Sequence, residues 1–139
     1  MYIIRYVKES DKAFWFNADM NIDEFTFDNK LRNNMAYIFE DSHLKIGILR
    51  YSLFSDHIPF CNLLCISEKY RHKGCGRALI QYWEQDMKAR GYSLAMASSY
   101  IDDEIHGFYR KMGYREVGGI LIPDAHNGNK MEIIMVKQL

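Results

Sequence analysis

The feature that most constrains the fold is the stretch from Tyr70 to Gly91, YRHKGCGRALIQYWEQDMKARG. A basic loop with two glycines passes directly into a strong helical pattern, and an apolar run from Ile58 to Ile66 precedes it. The order of strand, glycine loop and helix places backbone N–H groups and a helix N-terminus where an anion can bind. The stretch therefore predicts an anion site at the start of the helix.

The chemistry of this loop favours a diphosphate. Gly74 and Gly76 have no Cβ, so the backbone can turn sharply and approach a ligand closely. Their amides, with those of Cys75 and Arg77, belong to the first helical turn, where the helix offers no acceptor. Full positive charges come from the side chains of Arg71, Lys73 and Arg77.

The glycine motif alone leaves other interpretations open. Its Gly-x-Gly spacing lacks the third glycine of the dinucleotide fingerprint. It also lacks the Gly-Lys-Ser/Thr ending of a Walker loop. On the motif alone, a glycine turn before an ordinary helix explains the pattern equally well.

Length and charge narrow the class of protein. The 139 residues are enough for one domain, and we expect a single domain over residues 1–139. With 18 basic and 18 acidic residues the net charge is zero, which argues against nucleic acid or an anionic membrane as the main partner. The N-terminus, MYIIRYVKESD, has early charges and predicts neither a signal peptide nor a membrane span. We expect a cytoplasmic protein.

The cysteines predict neither disulfides nor a metal site. Their number, three, is odd and does not make a disulfide framework. No Cys-x-x-Cys pair or histidine cluster with ligand spacing occurs in the sequence, so no metal is expected.

Two motifs in this order resemble those of the GNAT superfamily of N-acetyltransferases. Arg71-x-x-Gly74-x-Gly76, between an apolar strand and a helix, is similar to the acyl-coenzyme-A loop of that superfamily. About thirty residues on, Phe108-Tyr109-Arg110-Lys111-Met112-Gly113-Tyr114 is similar to its second hallmark, Phe-Tyr-x-Lys-x-Gly-Phe/Tyr. The closing segment, Glu132 to Lys137, resembles the family's last strand.

The resemblance implies an α/β (α+β) fold with one GNAT-like domain. Its centre would be a twisted, mixed, mostly antiparallel sheet of about six to seven strands, with helices on both faces. The fourth and fifth strands would form a parallel pair that splays apart.

Hydrophobic patterns along the chain predict the individual elements. The expected strands are Tyr2–Val7, Met35–Glu40, Leu44–Phe54, Phe60–Ile66, Tyr92–Ser99, Tyr114–Val117 and Met131–Lys137. Ser10-Asp11 is expected to mark a helix start, because both residue types cap N-termini well, and two short helices joined by an irregular stretch are expected up to about Leu31. A stripe of Leu79, Trp83 and Met87 is expected to face the core. Residues 56–59 are expected to form a turn, residues 101–104 to open a short helix, and residues 118–130 to form a loop.

The resemblance also implies acetyl-CoA as co-substrate, without a metal. The pantetheine arm would bond to the main chain of Leu64 and Ile66, and the diphosphate to the glycine loop. The cofactor-binding residues implied in this way are Leu64, Cys65, Ile66, Arg71, His72, Lys73, Gly74, Cys75, Gly76, Arg77, Ala78 and Tyr109.

Tyr109 is the expected catalytic residue. It falls where the family places a tyrosine near the thioester sulfur, as general acid or hydrogen-bond donor to the leaving group. The reference pKa of a phenol, about 10, keeps it protonated at neutral pH. The alternative is a tyrosine that only packs under the sheet.

The base that deprotonates the amine is harder to identify. Many relatives have a glutamate on the fourth strand, and Phe60 stands at that position here. His57 and His106 are weak candidates, and a water chain or deprotonation before binding is an equally good account. Asp102 replaces an asparagine common in the family and is expected to cap a helix, and His126 is expected to be solvated.

The leading hypothesis is an enzyme that transfers acetyl from acetyl-CoA to a primary amine of a small molecule or peptide. A second is a non-catalytic CoA-binding or regulatory module of the same fold. A third is a small nucleotide-binding domain for ATP or NAD. The sequence does not identify the acceptor, and the resemblance allows a homodimer because relatives often pair.

Overall fold

The structure, a computed structural model, describes residues 1–100, 103–123, 128 and 130–139. Its strands are β1 (Tyr2–Tyr6), β2 (Ala36–Asp41), β3 (Leu44–Phe54), β4 (Ile58–Ile66), β5 (Leu94–Tyr100), β6 (Arg115–Leu121) and β7 (Met131–Gln138). Its helices are α1 (Lys12–Ala18), α2 (Glu24–Arg32), α3 (Cys75–Ala89) and α4 (Ile105–Lys111), with short 3-10 turns at Glu9–Asp11 and Glu68–Tyr70.

Within the described residues, seven strands form one mixed sheet in the order β1-β2-β3-β4-β5-β7-β6. β4 and β5 are parallel, with Phe60 beside Met96. The pairs β1–β2, β2–β3, β5–β7 and β7–β6 are antiparallel. The predicted mixed, mostly antiparallel sheet with one parallel pair is confirmed, and the splay of that pair stays a prediction.

The chain divides into two compact units. The first comprises Met1–Ser52 and Asn62–Trp83, and the second comprises Leu53–Cys61 and Glu84–Leu139. The expectation of a single domain over residues 1–139 stays a prediction. Among the described helices, none has the length and apolar content needed to cross a bilayer.

In the first unit, helices pack on both faces of the β2–β3 hairpin. Tyr37 and Ile38 are neighbours on β2, so their side chains project to opposite faces. Ile38 belongs to a buried cluster with Trp15 of α1 and Phe27 of α2. Tyr37 instead contacts Tyr82 of α3, with the ring centroids 5.9 Å apart. The predicted placement of helices on both faces therefore holds in this unit.

The apolar stripe of α3 is buried as predicted. Leu79, Trp83 and Met87 are fully buried. The helix ends before Gly91, whose φ of +97° is a conformation that glycine adopts without strain. The Tyr92 N–H then bonds to the Met87 carbonyl at 3.1 Å, which closes the last turn.

In the second unit, α4 lies against one face of β5 and β7. Nδ1 of His106, on α4, lies 3.0 Å from Oγ of Ser99 on β5. Ser99 is paired with Ile133 of β7, so both side chains project from the face that α4 covers. Ser98, the preceding residue of β5, projects from the opposite face.

The predicted helix start at Ser10-Asp11 is confirmed, since α1 begins at Lys12, but the Asp11 side chain does not cap that helix. Its carboxylate is buried and accepts hydrogen bonds from Arg5 Nη1 at 2.8 Å and from the Lys8 N–H at 2.7 Å. Lys45 Nζ also lies 2.8 Å from it. The carboxylate is held by cations from β1 and β3 rather than by the helix that follows it.

Three element boundaries also differ from prediction. β4 begins at Ile58, inside the segment expected to turn, and β6 extends to Leu121, inside the segment expected to be a loop. α4 begins at Ile105, later than predicted, and the Asp103 side chain accepts the Ile105 N–H at 3.2 Å. Asp102, the expected cap, lies outside the described residues.

Candidate functional site

The glycine loop opens α3 in the first unit. The helix begins at Cys75, directly after Gly74, whose φ is +84°. Its first main-chain hydrogen bond runs from the Ala78 N–H to the Gly74 carbonyl at 3.0 Å. The N–H groups of Cys75, Gly76 and Arg77 therefore precede the helix ladder and can serve as donors to a ligand.

The charges of the loop reinforce these donors. The side chains of Arg71, His72, Lys73 and Arg77 are exposed. A cation near a helix N-terminus adds to the partial positive charge of the helix dipole. An added Cβ at Gly74 would meet nothing within 4 Å, so the space next to its backbone is open. The loop is therefore an accessible and positively charged cradle.

Other side chains of the first unit contact the loop and the residue that precedes it. Cys75 is 2% exposed, and its electrostatic interaction with the Tyr2 hydroxyl raises the pKa of Tyr2. The Tyr70 hydroxyl donates to Asp41 Oδ2 at 3.2 Å, and burial and this bond raise the pKa of Tyr70. Because the Cys75 thiol is buried, a contact of Cys75 with a ligand would come from its main chain.

The end of β4 meets the loop at Arg71. Arg71 Nε donates to the Ile66 carbonyl at 2.8 Å. Beside this bond is a cavity of about 190 Å³. It is lined by Phe14, Ala18, Ile46, Gly47, Ile48, Cys65, Ile66, Ser67 and Arg71. The structure thus brings three of the expected cofactor residues, Cys65, Ile66 and Arg71, to one cavity, while Leu64 is half-buried on the same strand.

Tyr109, the expected catalytic residue, belongs to the second unit. It is 3% exposed, and its hydroxyl donates to Cys61 Sγ at 3.8 Å. The rings of Phe108 and Tyr114 each lie 5.2 Å from its ring, centroid to centroid. Burial, followed by interaction with Cys61, raises the pKa of Tyr109 well above its usual range. The hydroxyl therefore remains protonated at neutral pH and can act as a donor.

A buried ionic group lies next to Tyr109. The Tyr114 hydroxyl donates to Glu84 Oε2 at 2.7 Å, and Lys137 Nζ donates to Glu84 Oε1 at 3.0 Å. Burial and the charge of Glu84 raise the pKa of Tyr114. The charge of Glu84 is thus compensated by Lys137, and its bonds to Lys137 and Tyr114 stabilise the second unit.

The two candidate histidines have other partners. His106 Nε2 lies 2.7 Å from Glu116 Oε1, and Arg110 Nε donates to the same oxygen at 2.6 Å. These contacts lower the pKa of Glu116, with Arg110 as the larger cause. A cavity of about 340 Å³ borders this group. His57 is exposed, and its Nδ1 lies 2.7 Å from the Ser55 carbonyl oxygen in a turn.

Phe60 and Glu132 project from the opposite face of the second unit. Phe60 follows the strand alternation away from Cys61, and its ring centroid is 6.4 Å from that of Phe54. On the neighbouring strands, Ser98 Oγ donates to Glu132 Oε1 at 2.5 Å. Glu132 was not among the predicted site residues. The alternation of β7 could have indicated its face, but its partner depends on the strand register.

Within the described residues, no group of three or more His, Cys, Asp or Glu side chains is arranged to hold a metal ion. His126, expected to be solvated, lies outside the described residues.

Comparison with known proteins identifies the family. Residues 32–116 match the family model described as "Acetyltransferase (GNAT) domain". Since the match covers more than half of the chain, the chain belongs to the GNAT acetyltransferase family. No curated protein matches the chain in sequence.

Solved structures agree with this assignment at the level of the fold. Ard1 from Thermoplasma volcanium has a TM-score of 0.86 at 15% identity, covering 99% of this chain and 97% of that chain. Arabidopsis thaliana Naa50, in complex with the bisubstrate analogue CoA-Ac-MVNAL, has a TM-score of 0.85 at 11% identity, covering 99% of both chains. The ribosomal-protein-S18-alanine N-acetyltransferase from Escherichia coli has a TM-score of 0.83 at 15% identity, covering 99% of this chain and 94% of that chain.

Proposed function

We propose that the chain transfers the acetyl group of acetyl-CoA to a primary amine by direct attack in a ternary complex. The observation that carries the proposal is the start of α3. There, Gly74 at positive φ exposes the first-turn N–H groups between three cationic side chains. A diphosphate bound there would receive main-chain hydrogen bonds and full charges together. Family membership supports acetyl-CoA as the carrier of that diphosphate.

Tyr109 would serve the chemical step. The nitrogen lone pair attacks the thioester carbon, the C–N bond forms, and the C–S bond breaks as coenzyme A leaves. A buried, protonated phenol can donate a hydrogen bond or a proton to the departing sulfur. Main-chain groups at Leu64, Cys65 and Ile66 would hold the pantetheine arm and polarise the thioester carbonyl.

The acceptor would be the amine of a small molecule or a peptide. The bisubstrate analogue bound to Arabidopsis Naa50 joins coenzyme A to a peptide, and the fold of that protein is similar to the fold of this chain. This likeness supports a fold able to accommodate both ligands.

Binding and turnover test the proposal in two stages. Acetyl-CoA is expected to raise the melting temperature, whereas ATP and NAD are not, since a bound ligand stabilises the folded state. Release of the coenzyme A thiol is then measured with four amines: ethylamine, glycinamide, a lysine-free peptide, and an N-terminally blocked peptide with one lysine. Stabilisation by ATP or NAD alone would contradict the proposal, and acetyl-CoA binding with no thiol release would favour a non-catalytic module.

A pair of lysine variants tests the location of the diphosphate. Lys73→Ala removes a charge of the glycine loop, and Lys88→Ala removes an exposed lysine near the last turn of α3. Only the first is expected to weaken acetyl-CoA binding, by about tenfold, equivalent to about 1.4 kcal/mol. Equal affinities for the two variants would place the diphosphate elsewhere.

A further inference from the structure

Glu132 and Ser98 form a polar pair on the face of the second unit that α4 leaves uncovered. Ser98 lies on the same face of β5 as Met96, which pairs with Phe60 of β4. Glu132 of β7 is paired with Tyr100 of β5, two residues beyond Ser98. Its carboxylate reaches back to accept the Ser98 hydroxyl at 2.5 Å. The pair therefore shares a face with Phe60.

This face lies opposite to the one that holds Tyr109. Tyr109 contacts Cys61, and Cys61 projects from β4 on the side opposite to Phe60. If Tyr109 donates to the departing sulfur from the α4 side, the amine would approach the thioester carbon from the opposite face. The Phe54 ring, which is 46% exposed, marks that other face as accessible.

The contacts of Glu132 differ from those of two other carboxylates in this unit. Glu84 is bonded to Lys137, and Glu116 to Arg110, so each faces a permanent cation. Glu132 bonds to a neutral hydroxyl instead, and its cross-strand neighbours on β5 and β6 are Tyr100 and Ile120. A carboxylate bonded to a hydroxyl rather than to a cation can form a charge-assisted hydrogen bond with an arriving ammonium.

Direct attack needs such a group because the acceptor arrives protonated. At pH 7 only about 0.04% of a lysine-type amine is neutral, whereas roughly a tenth of an α-amine is, from reference pKa values of about 10.4 and 7.7–8.0. A positioned base raises the rate by typically about 10²–10⁴-fold. The requirement is therefore greatest for the most basic amines.

We propose that Glu132, oriented by the Ser98 hydroxyl, binds the acceptor ammonium and accepts its proton. This assignment rests on the acetyltransferase function proposed above. One N–H bond of the ammonium breaks and an O–H bond forms on Glu132, which later releases that proton to solvent. The freed lone pair attacks the thioester carbon. As the amide forms, the C–S bond breaks and the sulfur takes a proton from Tyr109 to leave as the coenzyme A thiol. The second nitrogen proton restores the proton of Tyr109.

The decisive experiment compares Glu132→Gln with the unaltered chain on the amine that gives the fastest thiol release. Glutamine can still accept the Ser98 hydroxyl, so the fold and acetyl-CoA affinity are expected to be retained. At pH 7 turnover is expected to fall by about 10²–10⁴-fold. Raising the pH toward the pKa of the amine supplies neutral amine from solution, and most of the lost rate is expected to return.

Two further variants separate a base from a structural residue. Ser98→Ala removes the hydroxyl that orients Glu132. Its turnover at pH 7 is expected to fall by less than that of Glu132→Gln and to recover in the same way at high pH. Glu116→Gln is the control, because it removes a carboxylate on the α4 face. The ratio of its turnover at high pH to its turnover at pH 7 is expected to equal that of the unaltered chain. A Glu132→Gln enzyme with the original rate at pH 7, or with an equal loss at both pH values, overturns the proposal. Absence of turnover by the unaltered chain with every amine contradicts the proposed function instead.

Discussion

The Tyr109 hydroxyl donates to the sulfur of Cys61 at 3.8 Å, inside a packed group of aromatic rings in the second unit. A thiol is a weak acceptor, so this contact holds the phenol only loosely. Burial meanwhile raises the pKa of Tyr109, which keeps its proton in place. Tyr109 is therefore a protonated donor with a weak partner. A stronger acceptor, such as a departing thiolate, can displace Cys61 from the hydroxyl.

Replacing Tyr109 by phenylalanine tests this role. The change removes one oxygen atom and keeps the ring packing, so the free energy of unfolding is expected to fall by less than about 1 kcal/mol. Turnover is expected to drop by about 10²-fold, because proton donation to the sulfur is lost. Acetyl-CoA affinity, measured by calorimetry, is expected to change little.

Tyr82→Phe is the control for Tyr109→Phe, since Tyr82 is 40% exposed on α3. It is expected to keep full turnover. Unchanged turnover in Tyr109→Phe would assign Tyr109 to packing alone.

Two glycines at positive φ offer a matched test of the anion site. Gly74 has φ +84° and Gly91 has φ +97°, and an added Cβ meets nothing within 4 Å at either position. Alanine at each is expected to destabilise the fold by about 1–2 kcal/mol through backbone strain. Only Gly74→Ala is expected to weaken acetyl-CoA binding, by about tenfold or more. The same affinity in both variants would argue against a diphosphate at the start of α3.

The buried carboxylate of Asp11 is expected to govern part of the acid stability. Burial favours its protonated form, but hydrogen bonds from Arg5, Lys45 and the Lys8 N–H outweigh burial and hold its pKa well below the usual range. A depressed pKa in the folded state contributes stability that is present above the unfolded value, about 3.9, and is lost as the pH falls below it.

Asp11→Asn is therefore expected to lower the free energy of unfolding at pH 7 by about 3 kcal/mol, since two cations lose their buried partner. Urea titrations at pH 7 and pH 3 measure the difference, which is expected to shrink at the lower pH. A constant difference would show that the carboxylate charge is not what stabilises this corner of the first unit.

The elements that local pattern determines were predictable. The β2–β3 hairpin follows from the alternation on either side of Asp41-Ser42-His43, and the buried stripe of α3 follows from its period. Gly91, at positive φ, follows the end of α3. In each case the signal lies within one element or one turn.

The features that depend on distant partners were not predictable. Asp11 has the residue type of a helix cap, yet Arg5 and Lys45 bind it from two strands. Residues 118–130 were expected to form a loop, but Gly118 and Gly119 pair with Ile134 and Ile133 of β7 and so belong to β6. Strand register and ion pairing arise only when the chain is folded, and so does the contact between Ser98 and Glu132.

Lys30 is expected to make the stability of the first unit rise with pH in the alkaline range, as Asp11 does in the acid range. Its side chain is buried, and its Nζ donates to the Tyr51 carbonyl at 2.5 Å. Burial, followed by the charge of Arg50, lowers the pKa of Lys30. Between this lowered pKa and the unfolded value, about 10.4, the unfolded chain binds more protons, so stability rises with pH.

Lys30→Met removes the buried charge, and the free energy of unfolding is expected to lose that rise between pH 7 and pH 10. The variant is expected to be at least as stable as the unaltered chain at pH 7, because replacing a buried ion by an apolar side chain is often neutral or stabilising. Lys88→Met, at an exposed lysine, is the control and is expected to keep the rise. Urea titrations at pH 7 and pH 10 measure this rise in the free energy of unfolding. If the rise is the same for all three proteins, the buried ammonium is not its source.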